Sequence, residues 1–156
     1  MILTLIQGLI FVTYVIFIWI KFKGPLSSIS ESWYKLGEPL NVLFTLFCFS
    51  IGIMMPFHIV GTVPIFFFLS GAGLCFTGAA AMFKDDNITS IVHMIGATIC
   101  VIGGLLGIGV ELGHWIPTII FIISASLLRL LKVKNNIWWI EIVAFACILS
   151  GLLIYE

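Results

Sequence analysis

Residues 93–111 read HMIGATICVIGGLLGIGVE, and this stretch decides the fold. No charged side chain lies between His93 and Glu111. The stretch is therefore apolar enough and long enough to cross a bilayer core, which takes ~20 helical residues. Its small and polar residues are ordered: His93, Gly96/Ala97, Cys100, Gly103/Gly104, Gly107 and Glu111 recur every three or four positions. That spacing makes one stripe along a helix. Inside lipid an apolar side chain gains nothing by facing another helix, so association falls to small residues and to polar groups that bond across. The stripe must face protein. Two other segments carry the same signature, Asn41/Thr45/Cys48/Gly52 and Ser70/Gly73/Thr77/Ala80/Ala81/Lys84. These three segments are expected to form a close-packed core. Gly103-x-x-x-Gly107 has the spacing of a dimer motif and is assigned to packing within the chain.

The rest of the chain extends the pattern. Of 156 residues 62% are hydrophobic and 9% charged, and mean hydropathy is +1.26. A soluble domain carries about a quarter charged residues, so the polar surface is missing and lipid must replace water around it. Net charge is zero and no basic run occurs, which removes the electrostatic footprint of a nucleic-acid binder. Cys48, Cys75, Cys100 and Cys147 fall in four different apolar segments without a C-x-x-C pair, and are read as small buried hydrophobes.

Six stretches reach spanning length, near 2–20, 40–57, 61–83, 88–110, 115–131 and 137–155. The expected fold is a single-domain, all-α polytopic membrane helix bundle over 1–156, with six transmembrane helices. Lys21, Lys23 and Lys35 follow the first span, Lys84 the third, and Arg129, Lys132 and Lys134 lie at the end of the fifth or just beyond it. All seven basic residues thus sit on alternate connections, which the positive-inside rule places in the cytoplasm. Both termini then lie on the non-cytoplasmic side. The first span lacks a basic leader and its lysines follow the apolar run, so it reads as a retained anchor. In the first cytoplasmic connection Ser28 and Glu31 form a capping box, and Leu26, Ile29, Trp33 and Leu36 recur at helical spacing before Gly37. A short interfacial helix is expected there, with Trp33 and Tyr34 at headgroup depth.

Ionisable residues within spans are functional candidates by default. His93 and Glu141 enter their spans from the same side and reach similar depth, with Asp85 and Asp86 just before span four and Glu31 on the interfacial helix. A pocket of Glu31, Asp86, His93 and Glu141 would bind a polar headgroup, relay a proton or hold a metal. Each also has a plainer role: Asp86 or Asn87 as a helix cap, Glu141 snorkelling toward Arg129, Lys132 or Lys134, and His93 as a satisfied core residue. On the outer side Glu111-x-x-His114, with His58 on another connection, offers two His and a carboxylate, a set that suits zinc or iron. Gly113 and Pro117 disturb helical spacing there, and interfacial polar residues are the plainer account of the group. Nucleotide-binding and G-x-S-x-G motifs are absent.

Ile29-Ser30-Glu31 leading into Gly37-Glu38-Pro39, the polar tip Lys84-Asp85-Asp86, and His93-Met94-Ile95-Gly96-Ala97 opening a glycine-rich span resemble the six-span Frag/DRAM/Sfk-type membrane family and its uncharacterised bacterial relatives. The resemblance covers about residues 26–105. Glu38 departs from it, where the family often has a small residue. It implies a six-helix bundle tied to membrane-lipid organisation or signalling without established catalysis, and it singles out Ser30, Pro39, His93 and Gly96. The zinc-dependent membrane hydrolases of the ceramidase and progestin-receptor-like superfamily gather three His on one metal. Here the expected topology divides His93 from His58 and His114 across the bilayer.

The leading expectation is a non-enzymatic membrane protein that needs no cofactor. It would bind a lipid or small amphiphile, or a membrane partner, through an inner-leaflet polar cavity near His93 and Glu141. Partners would be membrane lipids and further copies or a larger membrane complex. A metal-dependent lipid hydrolase using His93, Asp86 and Glu141, and a small transporter or complex subunit, are the alternatives.

Overall fold

A computed structural model describes residues 1–59, 64–81 and 87–155, without the side chains of 87–90. The described residues are all-helical, in seven helices. They are α1 (Ile2–Phe22), α2 (Glu31–Leu36), α3 (Val42–Met54), α4 (Ile65–Ala80), α5 (Asn87–Leu106), α6 (Ile116–Leu130) and α7 (Asn136–Tyr155). A 3-10 turn, Met55–His58, extends α3, and a π-helical turn, Gly107–Glu111, extends α5. Ile2–Phe22, Ile91–Glu111 and Asn136–Tyr155 are long and apolar enough to cross a membrane. Val42–His58, Ile65–Ala80 and Ile116–Leu130 are shorter apolar helices. Large apolar side chains stand exposed along all of them, among them Leu9, Phe57, Phe68, Ile95, Ile122 and Leu153. An apolar exterior of that extent marks a surface that meets lipid.

Helix ends follow local chemistry. Lys23 adopts a left-handed backbone (φ 54°) and the Gly24 N–H donates to the Trp19 carbonyl, closing α1 before Pro25. Pro117 sits in the first turn of α6, where its missing N–H costs nothing.

The expected core of three glycine-bearing segments is present. The tightest packing is of α5 against α4, then of α3 against α4. It is backbone on backbone. A Cβ on Gly73 would stand 2.6 Å from the Gly96 carbonyl oxygen and 2.7 Å from the Cys100 nitrogen. Gly71 and Gly52 meet in the same way between α4 and α3. Gly103 lies on the Phe66 carbonyl and the Ser70 nitrogen, and Gly107 under the Phe67 ring, so the G-x-x-x-G pair is spent within the chain. Hydroxyls stitch the seam: Ser70 Oγ donates to the Cys100 carbonyl at 2.7 Å and Thr45 Oγ1 to the Gly78 carbonyl at 3.0 Å. Cys48, Cys100 and Cys147 are buried, Cys75 is partly so, and all four are free thiols.

The other half packs differently. Helices α1, α3 and α7 meet through aromatic rings: Tyr14 stacks on Phe47 at 4.4 Å and Phe11 on Phe145 at 4.7 Å.

Candidate functional site

The stretch that decides the fold also ties down its neighbour. His93 and Glu111 stand at the two ends of the stripe on α5. His93 Nδ1 donates to the Thr77 carbonyl at 3.1 Å, among the carbonyls left open at the C-terminus of α4. Glu111 Oε1 accepts the Phe66 N–H at 2.8 Å, in the first turn of α4. A carboxylate at the N-terminus and an imidazole at the C-terminus match the polarity of the helix dipole. Both residues therefore have a structural task, His93 as a partly buried side chain bonded to a backbone carbonyl.

Glu141 lies in the second turn of α7 and reaches across to the connection between α1 and α3. Its Oε2 accepts the Ile29 N–H at 2.5 Å. The Ile29 carbonyl takes the Ser32 hydroxyl at 2.5 Å. Ser32 has thereby committed its only proton, so Tyr14, whose hydroxyl is 2.6 Å from Ser32 Oγ, donates to it. The same connection is tied down twice more: the Trp138 backbone N–H donates to the Ser27 carbonyl at 3.2 Å, and Asn135 Nδ2 to the Pro25 carbonyl at 2.8 Å. Glu141 does not snorkel toward Arg129, Lys132 or Lys134; one of its oxygens is bonded to a backbone amide.

Beside Glu141 is a partly open cavity of about 50 Å³. Ser30, Thr77, Cys48 and Cys100 line it with the rings of Phe44, Phe47 and Phe145. Apart from Glu141 and the two hydroxyls its wall is apolar or thiol. No hydrogen bond to Glu141 Oε1 is found among the described residues. That oxygen retains acceptor capacity beside the cavity.

The other expected site residues are dispersed. Glu31 turns away from the cavity: its Oε2 accepts the Ser27 hydroxyl at 2.7 Å and the Ser27 N–H at 2.6 Å, and its Oε1 lies 3.5 Å from Lys35 Nζ. These contacts, the Ser27 hydroxyl first, hold its carboxyl below the usual carboxylate range. The capping box is thus shifted. Ser28 Oγ accepts the Glu31 N–H as expected, but Glu31 returns to Ser27 rather than Ser28, and α2 begins at Glu31. Of the two aromatics expected at headgroup depth, Tyr34 is exposed while Trp33 packs against the core. Asp85 and Asp86 lie outside the described residues.

The outer His58/Glu111/His114 set is not assembled. Glu111 is bonded to Phe66, and His58 is buried between α1 and α3, where its Nε2 donates to Gln7 Oε1 at 2.7 Å and its Nδ1 faces Thr4 Oγ1 at 3.4 Å. Among the described residues no group of three or more His, Cys, Asp or Glu is placed to hold a metal ion. Gln7 also donates to the Ile51 carbonyl at 3.1 Å, which completes a buried polar clasp that sequence reasoning missed. The signal was present, because Gln7 is the lone amide of a span without charged residues.

Comparison with protein-family models, curated proteins and solved structures finds no match for this chain.

Proposed function

We propose that this chain is a six-span membrane protein that binds a small amphiphile, without catalysing a reaction on it, in the cavity beside Glu141. Each shorter apolar helix packs against one of spanning length: α3 on α1, α4 on α5 and α6 on α7. A bilayer that surrounds the long partner surrounds the short one, and bilayers thin locally around short helices at modest cost. The positive-inside pattern then puts the Glu141 end in the cytoplasmic leaflet and both termini outside.

The observation that carries the binding reading is a carboxylate oxygen without a described hydrogen bond at an otherwise mainly apolar cavity. Carboxylates are rarely left inside a membrane without a partner. The rings of Phe44, Phe47 and Phe145 beside it favour a positively charged head, because aromatic faces attract cations. At about 50 Å³ the cavity takes an ammonium group and its first carbons, and the tail would lie in lipid. The resemblance noted above bears on the same place: Ser30 lines the cavity, and His93 and Gly96 both meet Thr77, which lines it too.

Hexylammonium and hexanol titrated into purified protein in nanodiscs test this. Hexylammonium should raise Tm in a saturable way and hexanol should not. Glu141→Gln and Ala97→Leu, which narrows the cavity, should each abolish the rise. An identical rise in wild type and Glu141→Gln would sink the reading.

A further inference from the structure

We propose a second ligand site at the same end of the molecule: the groove between the end of α1 and the α6–α7 turn, with Lys23 and Lys134 on its walls, binds the phosphate of an anionic phospholipid. The groove has a volume of about 450 Å³. Lys23, Gly24 and Pro25 form one wall, and Lys134, Asn135 and Trp139 the other. The two walls come from opposite ends of the sequence and are fixed to each other. Asn135 Nδ2 donates to the Pro25 carbonyl, and Trp19 meets Trp139 edge-on with centroids 5.9 Å apart. Lys23 and Asn135 both hold left-handed backbones, φ 54° and 56°, which set the two corners.

The charge is uncompensated. No carboxylate lines the groove. Among the described residues neither lysine is in an ion pair; the Glu31 carboxylate is taken by Lys35 and Ser27, and Glu141 lines the other cavity, not this groove. Two lysines lining one groove, with no carboxylate beside them, call for an anion. The position states which anion. The groove lies at the ends of α1 and α7, two helices of spanning length, with Trp19 and Trp139 beside it. Tryptophans gather at headgroup depth, where the phosphates of one leaflet lie. A zwitterionic headgroup brings its own cation to two lysines and is disfavoured; an anionic glycerol headgroup brings a net charge and hydroxyls. This site is separate from the cavity beside Glu141, and neither proposal depends on the other.

The test is retention of lipid by the full chain in a zwitterionic detergent, read by native mass spectrometry and Tm. Dioleoyl phosphatidylglycerol should be retained and raise Tm, while dioleoyl phosphatidylcholine should do neither. Each lysine near an anionic surface is worth about fivefold in affinity, so Lys23→Gln with Lys134→Gln should lose about 25-fold. A zwitterionic detergent presents no anionic surface, so the charge-matched pair Lys21→Gln with Lys132→Gln, outside the groove lining, should stay within about twofold of wild type. Equal loss in both pairs would show general surface attraction and overturn the site. Equal retention of phosphatidylcholine would overturn it as well. Protection by glycerol phosphate alone, matching that of the lipid, would transfer the site to a soluble phosphate and overturn the lipid assignment.

Discussion

The seam of α3, α4 and α5 and the junction of α1, α3 and α7 solve the same problem by different means. In the seam, glycines bring backbones into contact, hydroxyls bond to carbonyls across helices, and α5 caps both ends of α4 with Glu111 and His93. In the junction, bulky rings stack, Gln7 bonds α1 to α3, Glu141 holds a loop to α7, and a cavity is left beside Glu141 where the junction meets the seam. Close packing by small residues leaves no room for a ligand. Packing by large rigid rings leaves gaps, and polar groups that anchor a loop can turn spare capacity toward them. The cavity beside Glu141 accordingly lies along the boundary of the two, with Phe44, Phe47 and Phe145 from the aromatic side and Leu74, Thr77, Ala97 and Cys100 from the seam, and the lysine groove lies in the loops.

The contrast breaks first, and with the largest effect, at Gly73. Gly73→Leu forces a side chain into the Gly96 and Cys100 backbone and should cost about 3 kcal/mol or more in detergent unfolding. Gly8→Leu on α1, where a Cβ meets nothing within 4 Å, should cost little. A stable Gly73→Leu would mean that the seam is not backbone on backbone.

A smaller effect separates the two carboxylates. Glu111→Ala and Glu141→Ala each remove a charged acceptor from a backbone N–H, at about 1.5–3 kcal/mol. Hydrogen exchange should then speed up at Phe66 in the first variant and at Ile29 in the second, without crossing over. Exchange that rises at both amides in both variants would show that the two halves are one cooperative unit.

The smallest effect is at Glu31. Its folded-state carboxyl is held below the ordinary 4.5 by the Ser27 hydroxyl, the Ser27 N–H and Lys35. A lowered folded value means stability that is present above the unfolded value and lost as pH falls from about 4.5 through the lowered one. The side chain is mostly exposed, so Glu31→Gln should lower Tm by about 1 °C at neutral pH, and the difference should vanish in acid. A difference that survives below that window would assign the loss to the hydrogen bonds alone.

Helix placement was legible because lipid demands long apolar runs and tolerates charge, proline and glycine poorly at their breaks. The expected segments 2–20, 88–110 and 137–155 lie within two residues of Ile2–Phe22, Asn87–Glu111 and Asn136–Tyr155. The three-helix core was legible for a related reason: small residues at 3–4 spacing have no value facing lipid, so their direction could only be inward. The aromatic half offered no such clue. Phe47 and Phe145 face protein and Phe57 and Phe68 are exposed, yet nothing in the local sequence separates them.

The site was half legible. Glu141 and Ser30 share a cavity, but Glu31 is spent on Ser27, His93 on Thr77, and His58 on Gln7. A sequence shows which residues are ionisable and at what depth they enter. It does not show which backbone N–H or carbonyl lacks a partner nearby. Those orphan groups exist only once helices end against one another, as α4 does between Glu111 and His93 and as the Ile29 amide does beside α7. The stretch 93–111 by itself therefore determined that a helix long and apolar enough to cross a membrane forms there and which face it buries. Tertiary structure alone decided that its two ionisable ends serve a neighbouring helix, because the groups they satisfy belong to that helix.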